Sequence, residues 1–307
     1  MPGIQPAGHD LGGISDYDFL RYDAAYADSE GPMTYGCPYK LATYGHYNMP
    51  SRVSEFRREF QEMLAQDSTG NSVPAFITLR IMHDHTQGLS VGNFTPQAEV
   101  SDNDDGVGQV IDILSKSQIW QNTAVFVTED DAQDGPDHVD AHRSTAYVIS
   151  PYIKLGYVDH NFYNTDSILK TMEMLLGVTP LNQYDANAAP ILVPFDKAPN
   201  NGAPFNAIAA TKDVMCSKAS SQLAKRSNPM HKWAMESAKM NFDVPDSAPS
   251  AKLNEVIWKS VKGPNSPMPA IRHEVIPESA QDADDVKDGK KAKRDADDDV
   301  RVGHGGN

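Results

Sequence analysis

The densest chemistry in the sequence is the run TEDDAQDGPDHVDAHRS, Thr128 to Ser144. It gathers Glu129, Asp130, Asp131, Asp134, Asp137, His138, Asp140 and His142 directly behind the apolar stretch Asn122 to Val127. Like charges this close repel, so carboxylates leaving a buried strand are costly unless something positive sits among them. A divalent cation is the simplest answer, and at least one of Glu129, Asp130 and Asp131 is expected to bind it. His138 and His142 are four apart and would share a face of a helix, but Gly135 and Pro136 favour a loop. One of the two is expected to be a ligand, the other a substrate-contacting or structural residue. Arg143 offers a planar fork for a phosphate or sulfate oxygen, although pairing with one of these carboxylates is its expected role.

A second polar cluster, His83, Asp84, His85 and Thr86, ends the apolar run PAFITLRIM, Pro74 to Met82. Four of the ten histidines, His83, His85, His138 and His142, fall in these two segments beside acidic residues. The bland alternatives are a polar turn after a strand for Asp84 and His85 and a solvated acidic loop for Glu129 to Asp131. A shared metal site that includes Asp84 and His85 explains the clustering better. Only Cys37 and Cys216 are present, which excludes thiolate cages of the CxxC type, so the ligands must be oxygen and nitrogen. Zinc tolerates such a mixed set, whereas manganese, magnesium or calcium would use more of the oxygens. Asp102, Asn103, Asp104, Asp105 and Gly106 miss the DxDxDG spacing of a calcium loop and suit instead the N-terminus of a helix. His9, His46, His160, His231, His273 and His304 have no comparable acidic surroundings.

The elements that must position these groups read as α/β. Pro50 and Ser51 open a helix with Val53, Phe56, Phe60, Met63 and Leu64 at helical spacing and Arg52, Arg57, Arg58 and Glu62 on the other face. Pro74 to Met82 reads as a strand, Val107, Val110, Ile111 and Leu114 as an amphipathic helix, and Asn122 to Thr128 as a second, β-branched strand. That order predicts a parallel right-handed crossover, with both polar clusters facing one crevice at the carboxyl ends of the strands. Ala146 to Ser150 is a candidate third strand. A helix is expected over about Thr165 to Leu176, with Ile168, Leu169, Met172, Leu175 and Leu176 inward and Gly177 as its stop. Residues 178–249 read as mostly irregular, and Ser250 to Lys262 as a terminal helix that packs back on the domain. Residues 1–50 form an irregular N-terminal or cap segment to which little chemistry can be assigned. From Glu278 to Asn307 the composition turns to Asp, Lys, Arg and Gly and reads as a disordered charged tail.

At 307 residues and 33.6 kDa the chain can bury a sizeable core. A net charge of −15 without any basic stripe disfavours a nucleic-acid partner while leaving room for a phosphate ester held by metal. No stretch approaches the ~20 apolar residues of a membrane span, and the N-terminus lacks the pattern of a signal peptide. Compartment and oligomeric state are not readable.

The segments MHDHTQG, SDNDDGVGQVIDIL, TEDDAQDGPDHVDAHRS and QYDANAAP together resemble the C-terminal half of the bacterial phosphoesterases of the alkaline phosphatase superfamily, over roughly residues 50 to 195. Asn254 to Ala270, NEVIWKSVKGPNSPMPA, is similar to the end of such proteins, some of which carry a β-propeller; no propeller repeat is visible here. The resemblance implies a three-layer α/β/α fold with a mostly parallel sheet over residues 51–277. It also implies one or two divalent metals, zinc, manganese, magnesium or calcium, and hydrolysis of a phosphate ester through a Ser or Thr nucleophile. By that resemblance Asp84 and His85 match the mid-chain ligands, Asp130 and Asp131 a paired acidic motif, and His138 or His142 the late histidine, with Glu129 in reserve. Relatives are often exported. They also begin with an apolar strand that ends in an acidic ligand, followed by the nucleophile, and residues 1–50 contain no such strand. The catalytic nucleophile is therefore unassigned and the domain reads as partial. A phosphatase-like hydrolase is the leading expectation. A non-catalytic acidic metal-binding or interaction module that retains the fold is its rival, and a phosphomutase ranks last.

Overall fold

A computed structural model describes residues 26–31, 51–67, 69–129, 144–200, 202–211, 214, 223, 225–242 and 247–269. The expectations placed on the charged tail and on most of the first fifty residues lie outside these.

Helix α1, Arg52–Gln66, starts where the sequence places it: the Ser51 hydroxyl accepts the Ser54 N–H at 3.1 Å. Its Val53 and Phe60 join Val110, Ile113, Leu114 and Trp120 in the main apolar core, with Phe56 and Phe60 stacked at 5.6 Å. Helix α2, Pro96–Ser115, supplies the facing side of that core and is more than twice as long as the apolar spacing from Val107 to Leu114 suggests. Thr95 and Pro96 explain the difference. The threonine hydroxyl caps Ala98 N–H and the proline occupies the first turn, where its missing N–H costs nothing. The acidic stretch Asp102–Gly106 consequently lies inside the helix rather than at its N-terminus.

The sheet departs from expectation. Among the described residues it has two strands, β1 (Val125–Thr128) and β2 (Ala146–Ile149), which pair antiparallel with Val125 opposite Ile149 and Thr128 opposite Ala146. The fold described is mixed α/β, and the mostly parallel three-layer sheet is not part of it. Thr128 and Ala146 stand opposite each other, so the two residues that flank the acid-rich run are neighbours on adjacent strands, and the parallel crossover expected between the 74–82 run and β1 is not formed among the described residues. The run Pro74 to Met82 forms neither helix nor ladder among the described residues, and Phe76 and Ile77 are 55% and 43% exposed. Apolar composition alone does not make a strand, which needs a neighbouring strand to take up its N–H and C=O groups, and no described strand does so here.

Helix α3, Thr165–Leu176, has the predicted bounds, set by an Asn164–Ser167 capping box and by Gly177 at φ 68°. Ile168 is buried, but Leu175 and Leu176, expected inward, are exposed. Two short helices, α4 (Gln183–Asn187) and α5 (His231–Ser237), interrupt the stretch read as irregular. Helix α6, Ser250–Lys262, packs back as expected: Val256 meets Trp233, Ala234 and Leu89 in a second core cluster. No described helix is long and apolar enough to cross a membrane.

Candidate functional site

The polar groups of this molecule converge on the loop at the end of the 74–82 run. Segment 26–29 lies along the start of α1, where the Arg52 and Val53 N–H groups donate to the carbonyls of Ala27 and Asp28 at 3.1 and 3.0 Å. Those two helical donors would otherwise have no partner. Gly106 on α2 lets the same segment approach closely, because a Cβ there would stand 3.0 Å from Asp28 Cβ and 3.4 Å from its carbonyl carbon.

Asp28 and Asp102, both fully buried, organise the network around the loop. Asp28 Oδ1 accepts Arg52 Nη1 at 2.9 Å and Met82 N–H at 3.3 Å; Oδ2 accepts His83 N–H at 2.7 Å and Asn103 Nδ2 at 3.0 Å. Asp102 Oδ2 accepts Asp28 N–H at 2.6 Å and shares a 2.7 Å hydrogen bond with His83 Nδ1, while Oδ1 accepts the Ser29 hydroxyl and N–H. Every carboxylate oxygen of the pair has at least two hydrogen-bond partners, which is what makes burial of two like charges tolerable. Arg52, read from the sequence as part of the polar outer face of α1, is instead fully buried against Asp28. Its place in the first turn puts the guanidinium under the 26–29 segment rather than in water.

His83 is 1% exposed, with the ring of Phe94 edge-on at 6.3 Å. Burial pulls its imidazole down, but the Asp102 hydrogen bond and the charges of Asp102, Glu99 and Asp28 outweigh that and hold it above the usual histidine value. Glu99, one turn before Asp102 on α2, is 4% exposed. Burial pushes its carboxyl up to about 7, against the opposing hydrogen bonds of the Thr86 hydroxyl and Gln87 N–H and the charge of His83. The loop is thus gripped at Met82 and His83 by Asp28 and Asp102, and at Thr86 and Gln87 by Glu99.

Between those grips stand the expected ligands. Asp84 is half-buried and its Oδ1 accepts Asn103 Nδ2 at 3.3 Å; His85 is exposed. A carboxylate and an imidazole on successive residues are donor types that suit a divalent cation. Glu129 is exposed just beyond β1. Asp130, Asp131, His138, His142 and Arg143 lie outside the described residues, as do Asp134, Asp137 and Asp140. Among the described residues no three His, Cys, Asp or Glu side chains are arranged to hold a metal ion, so Asp84 and His85 make an incomplete donor set there.

Asp28, Arg52, Glu99, Asp102 and Asn103 are not singled out as site residues by the sequence. The usable signal was Thr95-Pro96: starting α2 there places Glu99, Asp102, Asn103 and Gly106 at helical spacing on one face, directed inward. Nothing in residues 26–29 advertises Asp28 without that face.

Comparison with protein families matches residues 22–179, a little over half of the chain, which includes the Asp28 segment, the grip on the loop, both strands and α3. No curated protein and no solved structure matches it. The family matched is described as the Phosphoesterase family, and the chain belongs to it.

Proposed function

We propose that the chain is a metal-dependent hydrolase of phosphate esters, with Asp84 and His85 as cation ligands. Asp130, Asp131 and His138 or His142 complete the set in this reading, and Glu129 and Arg143 stand beside it. A bound divalent cation supplies positive charge for the phosphoryl oxygens and for an attacking oxygen. The alkaline phosphatase-like three-layer α/β/α architecture belongs to the same reading, with family membership as its support.

The observation that carries the proposal is the treatment of the 82–87 loop. Asp28, Asp102 and Glu99 hold its backbone and inward side chains, while half-buried Asp84 and exposed His85 at its centre are within reach of solvent. A ligand loop needs its backbone fixed before its side chains can be, and this loop combines that fixing with two donors within reach of solvent. The chain's own residues therefore do the orienting, and the oxygen that attacks phosphorus, from water or from a Ser or Thr, is left unassigned.

The test is hydrolysis of p-nitrophenyl phosphate and bis-p-nitrophenyl phosphate by the purified chain after chelation, then with zinc, manganese, magnesium or calcium restored. Turnover is expected to vanish with chelation, return with metal, and fall by about 100-fold or more in Asp84→Ala. Stoichiometric metal without turnover would favour the rival reading, an acidic metal-binding module. Metal content unchanged in Asp84→Ala and His85→Ala would remove these two residues from the site.

A further inference from the structure

Asn103 stands between two carboxylates with different duties. Its Nδ2 donates to Asp28 Oδ2 at 3.0 Å and to Asp84 Oδ1 at 3.3 Å. Asp28 is fully buried and also tied to Arg52, Met82 and His83, so its position is set by donors from several other segments of chain. Asp84 is half-buried beside exposed His85, and its hydrogen bond from Asn103 ties it to the buried cluster.

An amide nitrogen carries two hydrogens, and here one is available for each carboxylate. Because both neighbours are acceptors, the nitrogen and not the oxygen of the amide must face them. Serine in its place would offer one hydrogen, and aspartate would set a third negative charge between two others. Asparagine is the short side chain that can bridge the pair without adding charge.

We propose that Asn103 is a positioning residue for Asp84, transferring the fixed geometry of the buried Asp28 cluster to the carboxylate that meets the cation. The inference rests on the reading of Asp84 as a ligand. Helix α2 thereby contributes to the site without touching the metal or the substrate. Partners of this outer kind typically govern about 10- to 100-fold in metal affinity.

The test is the affinity of the full chain for Mn²⁺, by isothermal titration calorimetry, in wild type, Asn103→Ala, Asp84→Ala and the double variant. Asn103→Ala is expected to weaken Mn²⁺ by about tenfold, and Asp84→Ala by more. In the Asp84→Ala background the Asn103 substitution is expected to have no further effect, since residues acting through one another are not additive. Asn103→Ser, with one hydrogen left, is expected to fall between wild type and alanine and carries the comparison if alanine does not fold.

Unchanged affinity in Asn103→Ala alongside a loss in Asp84→Ala would overturn the positioning role and leave the site reading standing. An equal fold-loss in both backgrounds would also overturn it, since that is the mark of a general structural effect. Unchanged affinity in Asp84→Ala, or no binding by wild type, would overturn both.

Discussion

Along one stretch of chain, residues 76 to 83, the molecule inverts the usual arrangement of a protein interior. Phe76 and Ile77 are 55% and 43% exposed, whereas a few residues later His83 is 1% exposed, in a cluster with the fully buried Asp28, Arg52 and Asp102. The apolar end of the segment has no ladder partner among the described residues, and the charged end is held by a dense set of hydrogen bonds. Leu79 packs against the main core and Met82 is buried, so the run is anchored at its far end, but what fixes the loop carrying Asp84 and His85 beyond Met82 is a polar network with definite distances. Networks of this kind specify position well because each misplaced group is left buried and unpaired.

The most severe way to break the contrast is to open the charged end. Asp102→Ala removes the acceptor of Asp28 N–H, Ser29 N–H, the Ser29 hydroxyl and His83 Nδ1 together. Truncating one partner of a buried charged pair costs about 3–5 kcal/mol. Urea denaturation of the variant should show a loss of that size at neutral pH, with Asp102→Asn less damaged because one acceptor oxygen survives. A loss below about 1 kcal/mol would mean that the 26–29 segment is held by something other than this carboxylate.

Glu99 sharpens the same side of the comparison through pH. Its folded-state value of about 7 lies above the ordinary glutamate value of 4.5, so the folded protein keeps a proton that the unfolded chain gives up. The associated stability is fully present below about pH 4.5 and is lost as pH rises through about 7. The gap corresponds to about 3 kcal/mol at most. Glu99→Gln cannot lose that proton. Chemical denaturation of variant and wild type at about pH 4.5 and about pH 8 should therefore give similar stabilities at the lower pH and a variant more stable by about 1–3 kcal/mol at the higher. A difference that does not change with pH would show that Glu99 is not desolvated in solution.

The charged end was also the less legible one. Helices α1, α3 and α6 could be read from apolar spacing and caps, because a Ser, Asn or Gly at a helix end acts on its nearest backbone neighbours and needs no distant partner. Strands β1 and β2 were legible as strands, but not their pairing, since an apolar β-branched run carries no mark of direction. Asp84 and His85 stood out as polar donors next to an apolar run. Asp28 and Asp102 did not, because their roles exist only across 74 positions of sequence, and an acidic residue within a helix usually signifies a solvated face. Arg52 misled for the same reason: its type says surface, and only the neighbouring 26–29 segment makes it interior.

The smallest effect is expected at the apolar end, where a change should cost nothing if the contrast is real. Phe76 and Ile77 belong to the exposed part of the 74–82 run, so replacing both with serine removes apolar surface that water already reaches. Surface substitutions of this sort usually stay within ~0.5 kcal/mol. The double variant should unfold in urea like wild type while becoming more soluble, because an exposed apolar segment with no ladder partner among the described residues is a template for association. A destabilisation of about 2 kcal/mol or more would indicate instead that the run is covered in the folded protein, as a buried strand would be. The packing before Met82, seen at Leu79, would then extend to Phe76 and Ile77 and hold the 82–87 loop more firmly from that side. In that case Asp102→Ala should cost less than its full amount, because the surviving packing would keep His83 near its place.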